Sequence, residues 1–330
     1  MKKVLVTGAS GFIGSFLVEE ALRQNFEVYA GIRKSSNRKY LSNPAIHFVE
    51  LNFKDKSALT KMLNNRERFD YIIHTAGLIK TCHKDDFKTI NYQYTKNFIE
   101  ALQETAKVPD KFLFISSLAA FGPGNEKTMQ PIKPTDTPNP VTLYGKSKLM
   151  AEQYIQSLPD FPYLIFRPTG VYGPREKDYY LAYKAIKQHI ESYIGTKEQH
   201  ITFLYVTDLT RLVLDALQSD KSQKAYFVTD LKQYTAQQFN NIIKKTMNKK
   251  TLVLVFPKFF IKPFVFVSEK LSCWFGKPAT LNTDKSNELI CKNWLCESDE
   301  IVKDFGFQPE YDLERGVQET ISWFKKEKLL

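Results

Sequence analysis

The feature that most limits how this chain can fold lies at its amino-terminal end. Val4-Leu5-Val6 is an unbroken apolar run, and it leads directly into Thr7-Gly8-Ala9-Ser10-Gly11-Phe12-Ile13-Gly14. A strand that is apolar at every position is covered on both faces, as in a parallel sheet. After the glycines, Ile13, Leu17 and Ala21 recur on one helical face between Phe12 and Arg23. Buried strand, glycine turn and amphipathic helix form the setting in which backbone amides at a helix start cradle a phosphate. Gly8 permits the tight turn, Gly11 lets backbone approach a pyrophosphate, and Gly14 lets the helix close on the sheet. We therefore expect Gly8, Ser10, Gly11, Phe12, Ile13 and Gly14 to bind a dinucleotide.

The alternation continues downstream. Glu27–Ala30, His47–Leu51, Tyr71–His74, Phe112–Ser116 and Tyr163–Phe166 read as strands, with helical patterns such as Asn91–Thr105 and Lys146–Ser157 between them. This order predicts an α/β chain with a Rossmann-type, doubly wound parallel sheet and its ligands outside the carboxyl ends of the strands. Gly122–Pro140 is rich in turn-forming residues and reads as a loop. Beyond Pro168 the pattern becomes irregular. Leu204–Asp208 and Ala225–Thr229 are expected as further strands of the first domain. The expected organisation is thus a dinucleotide-binding domain over 1–166, completed by about 201–229, and a smaller mixed α/β substrate lobe over 167–200 and 230–330.

Composition narrows the partners. The net charge is +11, but the basic residues are dispersed, so no nucleic-acid partner is expected. A basic surface suits a phosphate-bearing cofactor, an anionic substrate or an anionic membrane. Cys82, Cys273, Cys291 and Cys296 form no C-x-x-C pair and have no histidines at metal-ligand spacing. No metal site is expected, and the thiols read as reduced in a cytoplasmic protein. The initial apolar run stops at Thr7-Gly8, too soon for a signal peptide.

Two further features refine the chemistry. At the end of the second strand stands Gly31-Ile32-Arg33-Lys34. An acidic residue there would hold ribose hydroxyls, whereas Arg33 can pair with a 2′-phosphate, so NADP(H) is expected in preference to NAD(H). Tyr144 and Lys148 lie one turn apart at a helix start. A free phenol has a pKa near 10, and lowering it to about 7 takes roughly 4 kcal/mol of differential stabilisation. The Lys148 ammonium and a cationic nicotinamide are expected to supply it. Ser116-Ser117 closes a strand at the same edge and offers a hydroxyl to a substrate oxygen.

Taken in order, the glycine loop, His74-Thr75-Ala76-Gly77, Phe114–Gly122, Tyr144-x-x-x-Lys148, Arg167–Pro174 and Tyr205-Val206-Thr207-Asp208 resemble the extended short-chain dehydrogenase/reductases, the NAD(P)-dependent epimerase/dehydratase group. The resemblance is dense over Met1–Leu217 and looser beyond. It implies Ser117 as the catalytic hydroxyl, Tyr144 as acid/base and Lys148 as the residue holding the nicotinamide ribose. It also places Asn52 and Phe53 beside the adenine, Ala76 and Gly77 along the cofactor, Pro168 near the nicotinamide and Asn91 in support. Asn52 departs from the usual acidic residue at its position. A homodimer is what the family implies. The glycine loop, Arg33 and the closing Phe305–Pro309 look most like NADPH-using reductases such as dihydroflavonol reductases and 3β-hydroxysteroid dehydrogenases.

Leu252–Val267 carries Phe256, Phe259, Phe260, Phe264 and Phe266, interrupted by Pro257, Lys258, Lys262 and Pro263. The prolines and lysines argue against a spanning helix. The segment reads either as a substrate access surface touching lipid or as a buried wall of the small lobe. An apolar wall favours a lipophilic ketone, a steroid or sphingoid-type lipid, as substrate. The alternative is a nucleotide-sugar epimerase or dehydratase, with Lys184, Lys187 and Arg211 as diphosphate candidates.

Overall fold

The computed structural model describes residues 1–195, 198–276, 278, 279 and 281–330, apart from the side chain of Phe260. Its first half runs β1 (Lys3–Thr7), α1 (Phe12–Arg23), β2 (Glu27–Ile32), β3 (His47–Glu50), α2 (Lys56–Asn64), β4 (Tyr71–His74), α3 (Asp85–Phe87), α4 (Tyr94–Glu104), β5 (Lys111–Ile115), α5 (Leu143–Gln156) and β6 (Tyr163–Pro168). It continues through β7 (Gly170–Tyr172), α6 (Tyr180–Lys187), β8 (Ile190–Ile194), β9 (His200–Ile201), β10 (Phe203–Tyr205), α7 (Val206–Leu217) and β11 (Lys224–Val228). The tail comprises β12 (Tyr234–Thr235), α8 (Ala236–Met247), β13 (Leu252–Phe256), α9 (Lys258–Trp274), α10 (Thr283–Leu289), β14 (Asn293–Trp294), α11 (Asp299–Phe305) and α12 (Leu313–Lys326).

Seven strands form one parallel sheet in the order β11-β6-β5-β4-β1-β2-β3. Period-2 alternation divides β1 between two cores: Val4 and Val6 pack with Leu17 of α1 and Val213 of α7, and Leu5 packs with Phe98 of α4 and Ala151 of α5. The chain winds outward from β1 through β2 and β3, then crosses to β4 and winds the other way. The switch between β1 and β4 is where such sheets hold their ligands. The register aligns Thr7 with both Gly31 and His74, and Ile115 with Phe166. The loops after β1, β2, β4, β5 and β6 therefore open on one edge.

Three expectations need correction. Leu204–Asp208 is not a strand of this sheet: β10 pairs only with β7, and Val206–Asp208 begin α7. The β-branched run there is overridden by Asp208, which is held in the first helical turn and accepts the amides of Glu310 and Tyr311 at 3.0 Å each. The helix expected over Asn91–Thr105 starts earlier and passes through a π-helical segment, Lys88–Gln93. Cys82 and Cys273 are joined in a disulfide with their Cα atoms 5.6 Å apart, while Cys291 and Cys296 stay free. A contact between residues 191 positions apart leaves no trace in cysteine spacing.

The remaining chain packs around Tyr172, Tyr183, Phe203, Phe239, Val317 and Ile321. The Leu252–Val267 stretch forms β13, paired in parallel with β8, and most of α9. It is no buried wall: Phe256, Phe264, Phe266 and Val267 are all exposed. Among the described residues no helix is long and apolar enough to cross a membrane.

Candidate functional site

The loop after β1 is built for close approach. Gly8 has φ +67°, and a Cβ there would lie 2.8 Å from the Ala76 amide nitrogen and from Thr75 Oγ1. A side chain would push apart the β1 and β4 loops, which are tied by Thr75 Oγ1 donating to the Thr7 carbonyl at 2.7 Å. Gly11 caps α1 without a side-chain hydrogen bond, and the first turn of that helix carries no acidic residue. The amides at Phe12 and Ile13 therefore keep their capacity for an anion. Ser10, Phe12 and Ile13 are half-buried beside them.

The other cofactor candidates share this edge. Arg33 follows β2 in an exposed turn closed by Ser36, whose hydroxyl accepts the Arg33 amide at 3.0 Å. Lys34 and Arg38 stand in the same turn, with Arg38 4.4 Å over the Phe48 ring. Asn52 is exposed just beyond β3, while Phe53 packs edge-on against His74 and Phe98. The half-buried Phe53 side chain thus packs on the core, and its carbonyl accepts Asn97 Nδ2 at 2.9 Å. Pro168 ends β6 opposite Val228. Arg175 was missed by sequence reasoning, although the turn before it was read. It donates to Ser15 Oγ at 2.9 Å and to the Glu19 carboxylate at 2.6 Å, fastening the loop after β7 to α1.

The proton-transfer candidates meet over β5. Thr142 caps α5 by accepting the Gly145 amide at 3.0 Å, which sets Tyr144 in the first turn and Lys148 one turn on. The Ser117 hydroxyl hydrogen-bonds the Tyr144 phenol. Ser116 faces the other way and donates to the buried carboxylate of Glu152. Lys148 Nζ donates to the Ile115 carbonyl at 2.8 Å. A Cβ on Gly77 would lie 3.5 Å from that Nζ and 3.1 Å from Asn91 Oδ1. Asn91 lies in the π-helical segment, where its carboxamide accepts the Leu78 amide at 2.7 Å and donates to Ser147 Oγ at 2.9 Å. A π-bulge at such a position is a common mark of a functional site. His74 lies between Thr7 and Thr95 hydroxyls, and burial drives its pKa down to about 3, so it is neutral.

The electrostatics differ from the sequence argument in one respect. Burial, and then the Glu288 carboxylate, push the Tyr144 phenol up to about 12, against the Ser117 hydrogen bond and Lys285. Burial brings Lys148 down to about 8, opposed by Glu152. In the protein alone, therefore, the Tyr144 phenol is protonated at neutral pH.

The opposite wall comes from α10, and no motif marks it. The Asp284 carboxylate accepts the amides of Leu143 at 2.7 Å and Tyr144 at 3.2 Å, 140 positions away along the chain in the second case. Lys285 is paired with Glu288, and Lys80 with Asp178 at 3.0 Å. Glu176 accepts the amides of Asp178 and Tyr179, and burial pushes its carboxyl up to about 7. Of the basic residues considered for a diphosphate, Lys184 and Lys187 are exposed on α6, and Arg211 is held by Asp208, Glu310 and the Gln308 carbonyl.

Residues 4–228 match the NAD dependent epimerase/dehydratase family. Across 98% of this chain and 90% of the relative, the sequence is 25% identical to a human dTDP-D-glucose 4,6-dehydratase. It is 23% identical to the sterol-4-alpha-carboxylate 3-dehydrogenase (decarboxylating) of Dictyostelium discoideum, over 97% of this chain and all of that one (100%). The fold matches the UDP-glucose 4-epimerase of Thermotoga maritima, solved with UDP-glucose, with a TM-score of 0.81 over 99% of both chains at 20% identity. The glycine cradle at the sheet's switch point and the whole-length relatives agree: the chain belongs to the NAD dependent epimerase/dehydratase family, enzymes of the extended short-chain dehydrogenase/reductase type.

Proposed function

We propose that this enzyme reduces a ketone on a lipophilic substrate, a steroid or sphingoid-type lipid, using NADPH. The observation that carries this reading is the charge balance at the substrate end. Lys285, which faces Tyr144, and Lys80, in the loop beyond Gly77, are each matched by a carboxylate. A diphosphate calls for cations that are not already matched. The apolar exposure of β13 and α9 points to a lipophilic partner instead. The nucleotide-sugar epimerase or dehydratase reading is the second one, supported by the names of the full-length relatives.

When bound, a nicotinamide cofactor would supply the hydride that the carbonyl carbon takes up. Ser117 donates to the carbonyl oxygen and fixes its position. The Tyr144 O–H bond breaks, and its proton passes to that oxygen as the alcohol forms. A phenol held at about 12 is protonated at neutral pH, as a proton donor must be. Lys148 orients the nicotinamide ribose, and its charge favours the phenolate left behind. Gly8, Ser10, Gly11, Phe12, Ile13 and Gly14 would hold the pyrophosphate, Asn52 and Phe53 would flank the adenine, and Ala76, Gly77 and Pro168 would line the nicotinamide half. Arg33 would hold the 2′-phosphate. A peripheral lipid contact and a homodimer belong to the same reading.

Two measurements test it. Arg33→Ala should weaken NADPH binding by about 10- to 100-fold, the value of a charge-assisted hydrogen bond, and leave NADH binding within about twofold. Titration of both cofactors by fluorescence decides, and equal losses would remove Arg33 from the 2′-phosphate site. The reductive kcat/KM should be level below about pH 8 and fall above it as Lys148 loses its proton. A profile that rises through this range would show that the uncharged amine is the active form.

A further inference from the structure

We infer that the outer faces of β13 and α9 form a docking surface for an anionic lipid bilayer, joined mechanically to the catalytic tyrosine. This rests on the lipophilic-substrate reading for its purpose but not for its test.

Helix α9 is apolar on both sides. Ile261 and Val265 are buried, and Glu269 and Cys273 continue their line at four-residue spacing. Glu269 accepts the backbone amide of Thr283 at 2.9 Å, and Cys273 is bonded to Cys82. The opposite side, which a water-facing helix would fill with charge, presents Phe264, Phe266, Val267, Trp274 and Phe275. Phe264 is 71% exposed and Trp274 85%. Beside this helix, Leu252, Val255 and Phe256 of β13 are also exposed. Between Lys249 and Phe275 there are five lysines and a single acidic residue, Glu269, whose carboxylate is turned to Thr283.

Charge selects the occupant. Aromatic and aliphatic side chains ringed by lysines suit the boundary of a membrane with anionic head groups. A second copy meeting this face about a two-fold axis would bring two lysine-bearing faces together, while Glu269, the one acidic residue of the segment, is already turned to Thr283.

The same helix reaches the site at two points. Through Glu269 and Thr283 it holds the start of α10, where Asp284 accepts the Leu143 and Tyr144 amides. Through the disulfide it holds Cys82, five residues beyond Gly77. A lipid leaving the bilayer at α9 would thus lie next to the two segments that α9 supports, the start of α10 and the loop carrying Cys82.

The test is flotation of the full chain, loaded with NADPH, on vesicles of phosphatidylcholine with and without phosphatidylglycerol. Wild type should float with the phosphatidylglycerol vesicles and be released by salt. The pair Phe264→Ser and Trp274→Ser should lower the bound fraction at least about tenfold, the value of withdrawing even one large apolar side chain from lipid. The pair Lys262→Gln and Lys270→Gln should abolish the preference for phosphatidylglycerol. All variants should keep the wild-type NADPH Kd and melting temperature, since these side chains point away from the core. Absence of wild-type flotation would overturn the proposal. So would a dimer in sedimentation that the serine pair dissociates, because a second copy would then cover the face. If vesicle binding holds while lipid ketones are not reduced, the docking surface stands and the substrate reading fails.

Discussion

Tyr144→Phe should lower kcat/KM for ketone reduction by about 10²- to 10⁴-fold, the usual contribution of a positioned proton donor. The affinity for NADPH should stay within about twofold, because the ring remains and only the hydroxyl is lost. The structure makes the substitution clean. The phenol touches the Ser117 hydroxyl, while the backbone of residue 144 is held separately by Asp284. Removing the hydroxyl should leave α5 in place, so steady-state kinetics with parallel cofactor titration isolates the proton step. Unchanged turnover would remove Tyr144 from the acid role.

Glu152→Ala should be the most damaging substitution away from the reacting atoms. Glu152 is fully buried; it accepts Arg167 Nε at 2.9 Å and Nη2 at 2.7 Å and also holds the Ser116 hydroxyl. It is, besides, the group that opposes the burial-driven loss of charge on Lys148. Truncation leaves the Arg167 guanidinium buried without a partner, which costs about 3–5 kcal/mol. At about 2–4 °C per kcal/mol, the melting temperature should fall by roughly 10 °C. Arg167 lies 5.0 Å over the Phe121 ring and 5.5 Å over that of Phe227, and these contacts cannot replace a carboxylate. Thermal unfolding followed by circular dichroism checks this; a shift of only a degree or two would mean that water reaches Arg167.

What the sequence disclosed, and what it hid, follow from the range of the interactions. The sheet was legible because each strand is a local apolar run flanked by turn residues. Tyr71–His74 and Phe12–Arg23 fall where periodicity put them. The glycine loop was legible because its backbone demands are local. Tyr144 and Lys148 lie one turn apart on a single helix. Asp284, Lys285 and Glu288 were invisible because their roles come from α10 docking on the start of α5, a contact that no spacing encodes. The Cys82–Cys273 bond escaped for the same reason. The upward shift of the phenol in the protein alone was not legible, because sequence names the neighbouring cation but neither the burial nor the Glu288 carboxylate that cause it. Residues 252–267 were recognised as apolar, and only the fold showed that Leu252, Val255, Phe256, Phe264, Phe266 and Val267 face outward.

The most direct test of the account is cofactor consumption with competing substrate classes. Purified enzyme and NADPH are incubated in parallel with a long-chain or steroid ketone and with UDP- and dTDP-glucose. The ketone should oxidise NADPH one for one with the alcohol formed, and the sugar nucleotides should be recovered unchanged. Conversion of a sugar nucleotide without net NADPH oxidation, with the ketones inert, would contradict it.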